Sequence, residues 1–173
     1  MAASPRKETS YGIICLSQAT SDSSLRSVNP SDYFILLIRQ KSGDHWTFPK
    51  GHPKPSDGST KATALRELKE ETGLELRQEC LLFGGKTFSN EYDFEKKPRD
   101  GRRVIVHKIN VFYVGLVGSA TRDKVTIQKS EVHEYQWVCL GGSKEWESTV
   151  TYEEDKKVVR SVVAELEQSR SAN

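Results

Sequence analysis

The sequence predicts an α/β domain, a mixed β-sheet with helices packed on its faces. Three observations predict it: runs rich in branched and aromatic residues recur along the chain, two segments carry helical periodicity, and their order suits a layered sheet. At 173 residues the chain is long enough for one full core and short for two. A single domain is expected over 11–170, with residues 1–10 a flexible start and 171–173 a tail.

Residues 11–16 (YGIICL) and 33–39 (YFILLIR) are dense in the residue types that strands prefer. Between them, residues 17–32 are polar, with Ser, Asp, Asn and Pro, and predict an exposed loop. The helix expected over 59–72 has Asp57 and Ser59 as cap candidates and Gly73 as its stop. Strand regions follow at 80–88 and 103–117, joined by SNEYDFEKKPRDG, whose charges, proline and Asp-Gly pair signal a connection. Residues 135–140 (YQWVCL) predict a further strand, broken by Gly141 and Gly142. The last helix spans 153–169, where Val158, Val159, Val162, Val163 and Leu166 recur at helical spacing and dock one face on the sheet.

Composition bounds the function. A net charge of +2 lacks the broad basic field of a dedicated nucleic-acid binder, while leaving room for a local cationic pocket. Cys15, Cys80 and Cys139 lie far apart in apolar runs, which predicts buried, reduced thiols; no CxxC pair or Cys/His cluster offers a zinc site. No apolar stretch has signal-peptide character or approaches the roughly 20 residues of a membrane span. A cytoplasmic protein is expected, with a short organelle-targeting leader left open, no membrane partner and no obligate protein partner.

The chemistry concentrates in residues 51–74. Glu67, Glu70 and Glu71 stand at i, i+3 and i+4, within about 100° of helical arc, and so face one way. Ala64, Leu65 and Leu68 point to the core, and Arg66 reaches Glu70 across one turn. Like charges on one face repel by a few tenths of a kcal/mol per pair, roughly. A hard dication such as Mg²⁺ converts that repulsion into binding, because it takes oxygen ligands and keeps waters for a phosphate substrate. The plainer alternative is a solvated acidic face paired to Arg66 and the lysines. Just upstream, in Trp46-Thr47-Phe48-Pro49-Lys50-Gly51-His52, Lys50 and His52 can neutralise phosphate oxygens, and Gly51 permits close backbone approach.

Residues 66–74 (RELKEETGL) resemble the Nudix family, whose box is GX5EX7REUXEEXGU with U aliphatic. Gly51 matches the first glycine. Asp57 lies at the upstream glutamate's distance from Gly51, but one extra residue then separates it from Arg66; counting back from Arg66 lands on Gly58. The resemblance implies an α/β/α sandwich with a mixed sheet and a loop-helix-loop catalytic box. It implies Mg²⁺, or alternatively Mn²⁺, held by Glu67, Glu70 and Glu71 with Gly51 in the metal site. Glu67 becomes the candidate for a combined ligand and base, and Arg66 an orienting partner.

Residues 46–52 resemble the W-x-P-P-K-G-H stretch of one Nudix subgroup, the asymmetrical diadenosine tetraphosphate hydrolases, with Phe48 in place of the first proline. Residues 130–137 (SEVHEYQW) are similar to that subgroup's S-x-E-H-x-x-Y-x-W, one residue shorter between Ser and Glu. That makes Glu131 a fourth metal-side carboxylate or alternative base, Tyr135 a base-stacking platform and Val132 the occupant of the histidine slot, with His133 exposed. Lys108 resembles the lysine opening K-T-V-x-Y and would face polyphosphate, with Phe112 at the tyrosine position; Tyr92 supplies a second aromatic wall. The loop over 93–101 is longer than the subgroup's. The implied reaction is in-line attack of metal-activated water on a dinucleoside polyphosphate, diadenosine tetraphosphate giving ATP and AMP. Alternatives are an RNA 5′-end pyrophosphohydrolase or decapping enzyme, a diphosphoinositol polyphosphate phosphohydrolase, and a silent nucleotide- or RNA-binding module. Survival of all three box glutamates disfavours the last.

Overall fold

The computed structural model describes residues 6–19, 29–97, 101, 103–142 and 145–169. The chain runs β1 (Arg6–Gln18), β2 (Tyr33–Gln40), β3 (His45–Thr47), β4 (Lys50–Gly51), α1 (Thr60–Thr72), β5 (Thr87–Lys96), β6 (Val104–Val117), β7 (Val132–Cys139), α2 (Glu145–Thr149) and α3 (Glu153–Gln168). The strands form one mixed sheet in the order β3-β2-β1-β6-β5, with β4 beside β1 and β7 beside β2. β1 and β6 are parallel from Arg6↔Val106 to Ser17↔Val117; β5 folds back antiparallel along β6.

Side-chain alternation assigns the two faces. Ile14, Leu16, Ile35, Leu37, Phe112 and Val114 point one way and bury Val158, Val159, Val162 and Leu166 of α3. Ile13, Cys15 and Leu36 point the other way and bury Ala64 and Leu68 of α1. The result is the expected α/β/α sandwich. Each fully buried aliphatic side chain contributes about 1.5–3 kcal/mol, so either layer is anchored by a handful of residues.

A fork in the sheet makes the cleft. β1 pairs with β2 only from Leu16↔Ile35 to Gln18↔Tyr33. Further along, β1 pairs instead with β4 (Tyr11↔Gly51, Gly12↔Lys50), and β2 with β3 (Ile38↔Thr47 to Gln40↔His45). The segment over 45–51 therefore crosses from one arm of the fork to the other, carrying Lys50 and Gly51 to its mouth, against Glu71 and Glu67 in the second half of α1.

Several boundaries differ from the sequence expectation. β1 begins at Arg6, because pairing with β6 continues below Tyr11, so residues 6–10 are strand rather than flexible start. Residues 1–5, 20–28 and the tail 171–173 lie outside the described residues. The strand expected over 80–88 is two 3-10 turns, Gln78–Cys80 and Phe83–Gly85, around a single bridge from Leu81 to Gly115. Left-handed φ at Phe83, Gly84 and Gly85 (55°, 63° and 79°) breaks the extended run. Conversely, most of the supposed connection SNEYDFEKK is β5, paired to β6 as far as Lys96↔Val104. Of the three cysteines, all free, only Cys15 is buried, its thiol pushed up to about 12 by desolvation; Cys80 and Cys139 are half-buried. No helix among the described residues is long and apolar enough to cross a membrane.

Candidate active site

α1 starts where Ser59 caps it, its Oγ accepting from the Ala62 N–H at 3.1 Å, and stops at left-handed Gly73. Asp57, the other cap candidate, does something else. The 3-10 turn Pro55–Asp57 and left-handed Gly58 (φ 73°) absorb the extra residue of the box and swing Asp57 back over the helix. There it accepts from Arg66 Nε at 2.7 Å and Nη2 at 3.0 Å, and from Thr63 Oγ1 at 2.9 Å. The guanidinium holds the Asp57 carboxyl well below the usual range.

Arg66 is a hub. Nη1 donates to Glu67 at 2.7 Å and Glu70 at 2.8 Å, and Nη2 to the His52 carbonyl at 2.9 Å. Glu67 is buried against Gly51 so closely that a Cβ there would lie 2.2 Å from its carboxyl carbon. Burial raises the Glu67 pKa and Arg66 opposes the rise. Glu70 is partly exposed and ion-paired to Lys54 at 2.9 Å, which lowers its pKa.

Glu71 is 1% exposed. Gln40 Nε2 donates to its Oε1 at 2.7 Å and the Lys50 N–H to its Oε2 at 2.9 Å. Desolvation pushes Glu71 up to about 8 against the pull of Lys50, with Glu67 and Glu131 adding to the rise. Glu131 reaches the same cleft from the turn before β7, where its carbonyl accepts from the Lys41 N–H at 2.8 Å. Among the described residues no three acidic, His or Cys side chains are drawn into a ready-made ligand cluster. The hydrogen bonds above divide the carboxylates of α1: Glu67 and Glu70 share Arg66, while Glu71 is held by Gln40 and the Lys50 N–H.

The cleft holds about 570 Å³ and is lined by Glu67, Glu70, Glu71 and Glu131 together with Lys50, Lys54, Lys96, Lys108 and His52; Glu8 also lines it, 3.6 Å from His52 Nε2 and 3.3 Å from Lys96 Nζ. Lys108 donates to Ser10 Oγ at 2.7 Å and lies 3.0 Å from His52 Nε2. Burial pushes Lys108 down to about 8; Glu8 resists, while Lys50 and Lys96 reinforce the drop. Burial, then Lys108, also lowers His52. Lys50 is lowered by desolvation against the attraction of Asp155, Glu71 and Glu67. Burial is the first cause of the drop in all three, and it outweighs the carboxylates that oppose it, Glu8 beside Lys108 and His52 and Asp155, Glu71 and Glu67 beside Lys50; a further anion would favour their charged forms.

The cleft continues into a second pocket of about 470 Å³, sharing His45, Lys50, Tyr92 and Phe94 with it and adding Tyr152. His45 and Tyr152 face each other with ring centroids 5.0 Å apart, and Tyr92 and Phe94 lie 6.1 Å apart. Burial favours the neutral His45 ring. The floor is polar: Asp155 accepts from Thr47 Oγ1 and Asn90 Nδ2, both at 2.7 Å, and Asn110 donates to Asn90 at 3.0 Å.

Of the residues expected from sequence, Lys50, Gly51, His52, Glu67, Glu70, Glu71, Tyr92, Lys108 and Glu131 all line the cleft. Arg66 is bonded to two of the three α1 glutamates, Glu67 and Glu70. Tyr135 does not belong to the lining of either pocket; it sits opposite Ile38 on β7, one same-face position short of Gln40, the residue that does reach the cleft. His133 is exposed, as expected, and Val132 is buried. The sequence reading missed Gln40, His45, Phe94 and Tyr152. A signal existed for Phe94: Phe88, Tyr92 and Phe94 stand at even spacing, the period of a strand face.

The chain matches the family model described as NUDIX domain over residues 25–160. It is 42% identical over 71 residues to the asymmetrical bis(5'-nucleosyl)-tetraphosphatase of Rattus norvegicus, covering 41% of this chain and 47% of the relative. With the protein of the same description from Mus musculus the identity is 39% over 113 residues, 65% of this chain and 67% of the relative. The match thus spans about half the rat relative's length and two thirds of the mouse relative's. Among solved structures, a C. elegans Ap4A hydrolase binary complex superposes with TM-score 0.62 at 20% identity, covering 92% of this chain and 97% of that one. A Francisella tularensis bifunctional NMN adenylyltransferase/ADP ribose pyrophosphatase, complexed with AMP and a Mn ion, gives 0.62 at 16%, covering 96% and 43%. At these identities the structures show a shared fold.

Proposed function

Because this chain belongs to the Nudix hydrolase family, we propose that it cleaves a phosphoanhydride bond of a dinucleoside polyphosphate, with diadenosine tetraphosphate giving ATP and AMP as the favoured case. The observation that carries this reading is continuity. A cleft lined by both carboxylates and lysines opens directly into an aromatic pocket, which suits a polyphosphate with a base attached. The relatives described as asymmetrical bis(5'-nucleosyl)-tetraphosphatases support the same substrate class.

The donor set fits a hard divalent cation. Glu67, Glu70, Glu71 and Glu131 offer carboxylate oxygens, and Gly51 brings its backbone against Glu67. These residues would hold Mg²⁺, or Mn²⁺, which when bound polarises phosphate oxygens and makes a coordinated water more acidic. The chain's own residues do the rest. Lys54 releases Glu70 for that role. Arg66 keeps Glu67 oriented as the candidate base, with Glu131 as the alternative. Lys50, His52 and Lys108 take the phosphate oxygens, whose charge offsets the burial that disfavours their cationic forms. Tyr92, with His45, takes the base; stacking of this kind is worth about 1–3 kcal/mol. Tyr135, standing outside the pockets, has no part in this scheme.

A substrate panel at matched concentrations tests the proposal. Diadenosine tetraphosphate should show the highest kcat/KM against RNA 5′-triphosphate, capped RNA and a diphosphoinositol polyphosphate. A preference for the diphosphoinositol, which has no base to fill the aromatic pocket, would overturn it.

A further inference from the structure

Three carboxylates of α1 face the cleft, and their partners differ in kind. Glu67 is met by Arg66, and Glu70 by Arg66 and Lys54, all cations. Glu71 is met by two neutral donors, the Gln40 amide on Oε1 at 2.7 Å and the Lys50 backbone N–H on Oε2 at 2.9 Å. The two donors come from opposite arms of the fork, β2 and β4, so Glu71 is tied across the gap.

How Gln40 comes to be there is built into β2. Leu36 packs on the α1 face, and strand alternation puts Ile38 and Gln40 on that face too. At its end the ladder with β7 slips: Arg39 pairs with Glu134, but Gln40 pairs with Val132, leaving His133 outside. This bulge lets Val132 stay buried while the chain before it turns into the cleft, where Lys41 N–H holds the Glu131 carbonyl at 2.8 Å. One irregularity thus sets Gln40 and Glu131 side by side on the cleft wall.

The choice of an amide has a chemical consequence. In the structure the Gln40 NH₂ faces Glu71, which suits the ionised, cation-binding form of the carboxyl because that form only accepts. A lysine at position 40 would neutralise Glu71 and compete with any cation. An apolar residue would leave a buried carboxylate oxygen short of a donor, at a cost. An amide orients the carboxylate without competing for its charge.

We propose that Gln40 is a positioning residue that holds Glu71 for a divalent cation and thereby sets the affinity of the cleft for that cation. The inference rests on the reading that the α1 carboxylates bind a metal, but on no particular substrate.

The experiment is Mn²⁺ titration of the full chain without nucleotide, followed by the EPR signal of free Mn²⁺. Outer partners of metal ligands typically control affinity by about ten- to a hundredfold. Gln40→Met should weaken Mn²⁺ binding in that range, and should add nothing in a Glu71→Gln background. Gln40→Lys, which keeps a donor and satisfies the buried carboxylate, should preserve the metal-free melting temperature and still lose Mn²⁺ affinity. A purely structural role predicts that the lysine variant binds Mn²⁺ normally, and that result overturns the proposal. So does unchanged affinity in a folded Gln40→Met, or an equal loss with and without Glu71. Should Gln40→Met not fold, the lysine variant decides. A wild type that binds no Mn²⁺ removes the metal premise and the proposal together, whereas Mn²⁺ binding without cleavage of diadenosine tetraphosphate leaves the proposal standing and discards only the substrate.

Discussion

Asp57 grips Arg66 through two side-by-side bonds, Nε to Oδ1 at 2.7 Å and Nη2 to Oδ2 at 3.0 Å, and Arg66 in turn reaches two of the three α1 glutamates. The residue that breaks the spacing of the box therefore serves to orient its arginine. Asp57→Asn keeps the shape but loses the charge and one acceptor. It should lower kcat by about tenfold with little change in KM, since Asp57 acts through Arg66 and not on substrate. Steady-state kinetics at saturating Mg²⁺ check this; a rise in KM at constant kcat would show Asp57 acting on substrate instead. The linkage sign is that of a depressed carboxyl: its stabilising effect is present above the unfolded value and is lost as pH falls through the lower folded one.

Gly51 is constrained by contact. A Cβ at this position would stand 2.2 Å from the Glu67 carboxyl carbon and 2.3 Å from both its oxygens. Gly51→Ala should leave the circular dichroism spectrum intact, because the clash is with the end of one side chain, and should cut kcat by about a hundredfold by displacing Glu67. Wild-type turnover in the variant would mean that Glu67 has freedom this packing denies it.

Lys108 has a pH signature. Its folded pKa is pushed from the ordinary 10.5 to about 8, so between those values the unfolded chain binds the extra proton. Stability contributed at this site therefore rises with pH through that window, and below it the burial penalty is present in full. Lys108→Met should raise the melting temperature at neutral pH while lowering kcat/KM about a hundredfold through loss of a phosphate contact. In wild type, kcat/KM should decline as pH passes about 8, and the decline should be absent in the variant. Thermal melts and pH–rate profiles of both proteins separate these effects.

The aromatic pocket gives a paired comparison. Tyr92→Ala should raise KM for a dinucleotide by roughly tenfold, the middle of the range for one stacked base. Tyr135→Ala, outside both pockets, should leave KM unchanged. The reverse pattern would relocate the base to the β7 face.

Much of this site was legible in the sequence because its signals are local. The α1 glutamates share a helical face by spacing alone, and Lys50 and Gly51 sit within one turn of chain. What escaped depends on pairing between distant segments. Gln40 becomes relevant only through the bulge with β7, and His45 and Tyr152 meet only because β3 and the start of α3 converge. Motif likeness places Tyr135 at the base, whereas register sets it opposite Ile38, outside the lining of both pockets. The segment 89–101 reads as a connection because its charges, Pro98 and Asp-Gly pair outweigh the alternation of Tyr92 and Phe94, yet over 89–96 pairing with β6 prevails over that composition.

The central claim is that the carboxylates of α1 drive asymmetrical hydrolysis of a dinucleoside polyphosphate. The most direct measurement is separation of the products of diadenosine tetraphosphate with Mg²⁺, for wild type and for Glu71→Gln. Rapid formation of equal ATP and AMP by the wild type, and its loss in a folded Glu71→Gln, is the predicted result. Two molecules of ADP as product, no cleavage by a folded wild type, or undiminished turnover in the variant would contradict it.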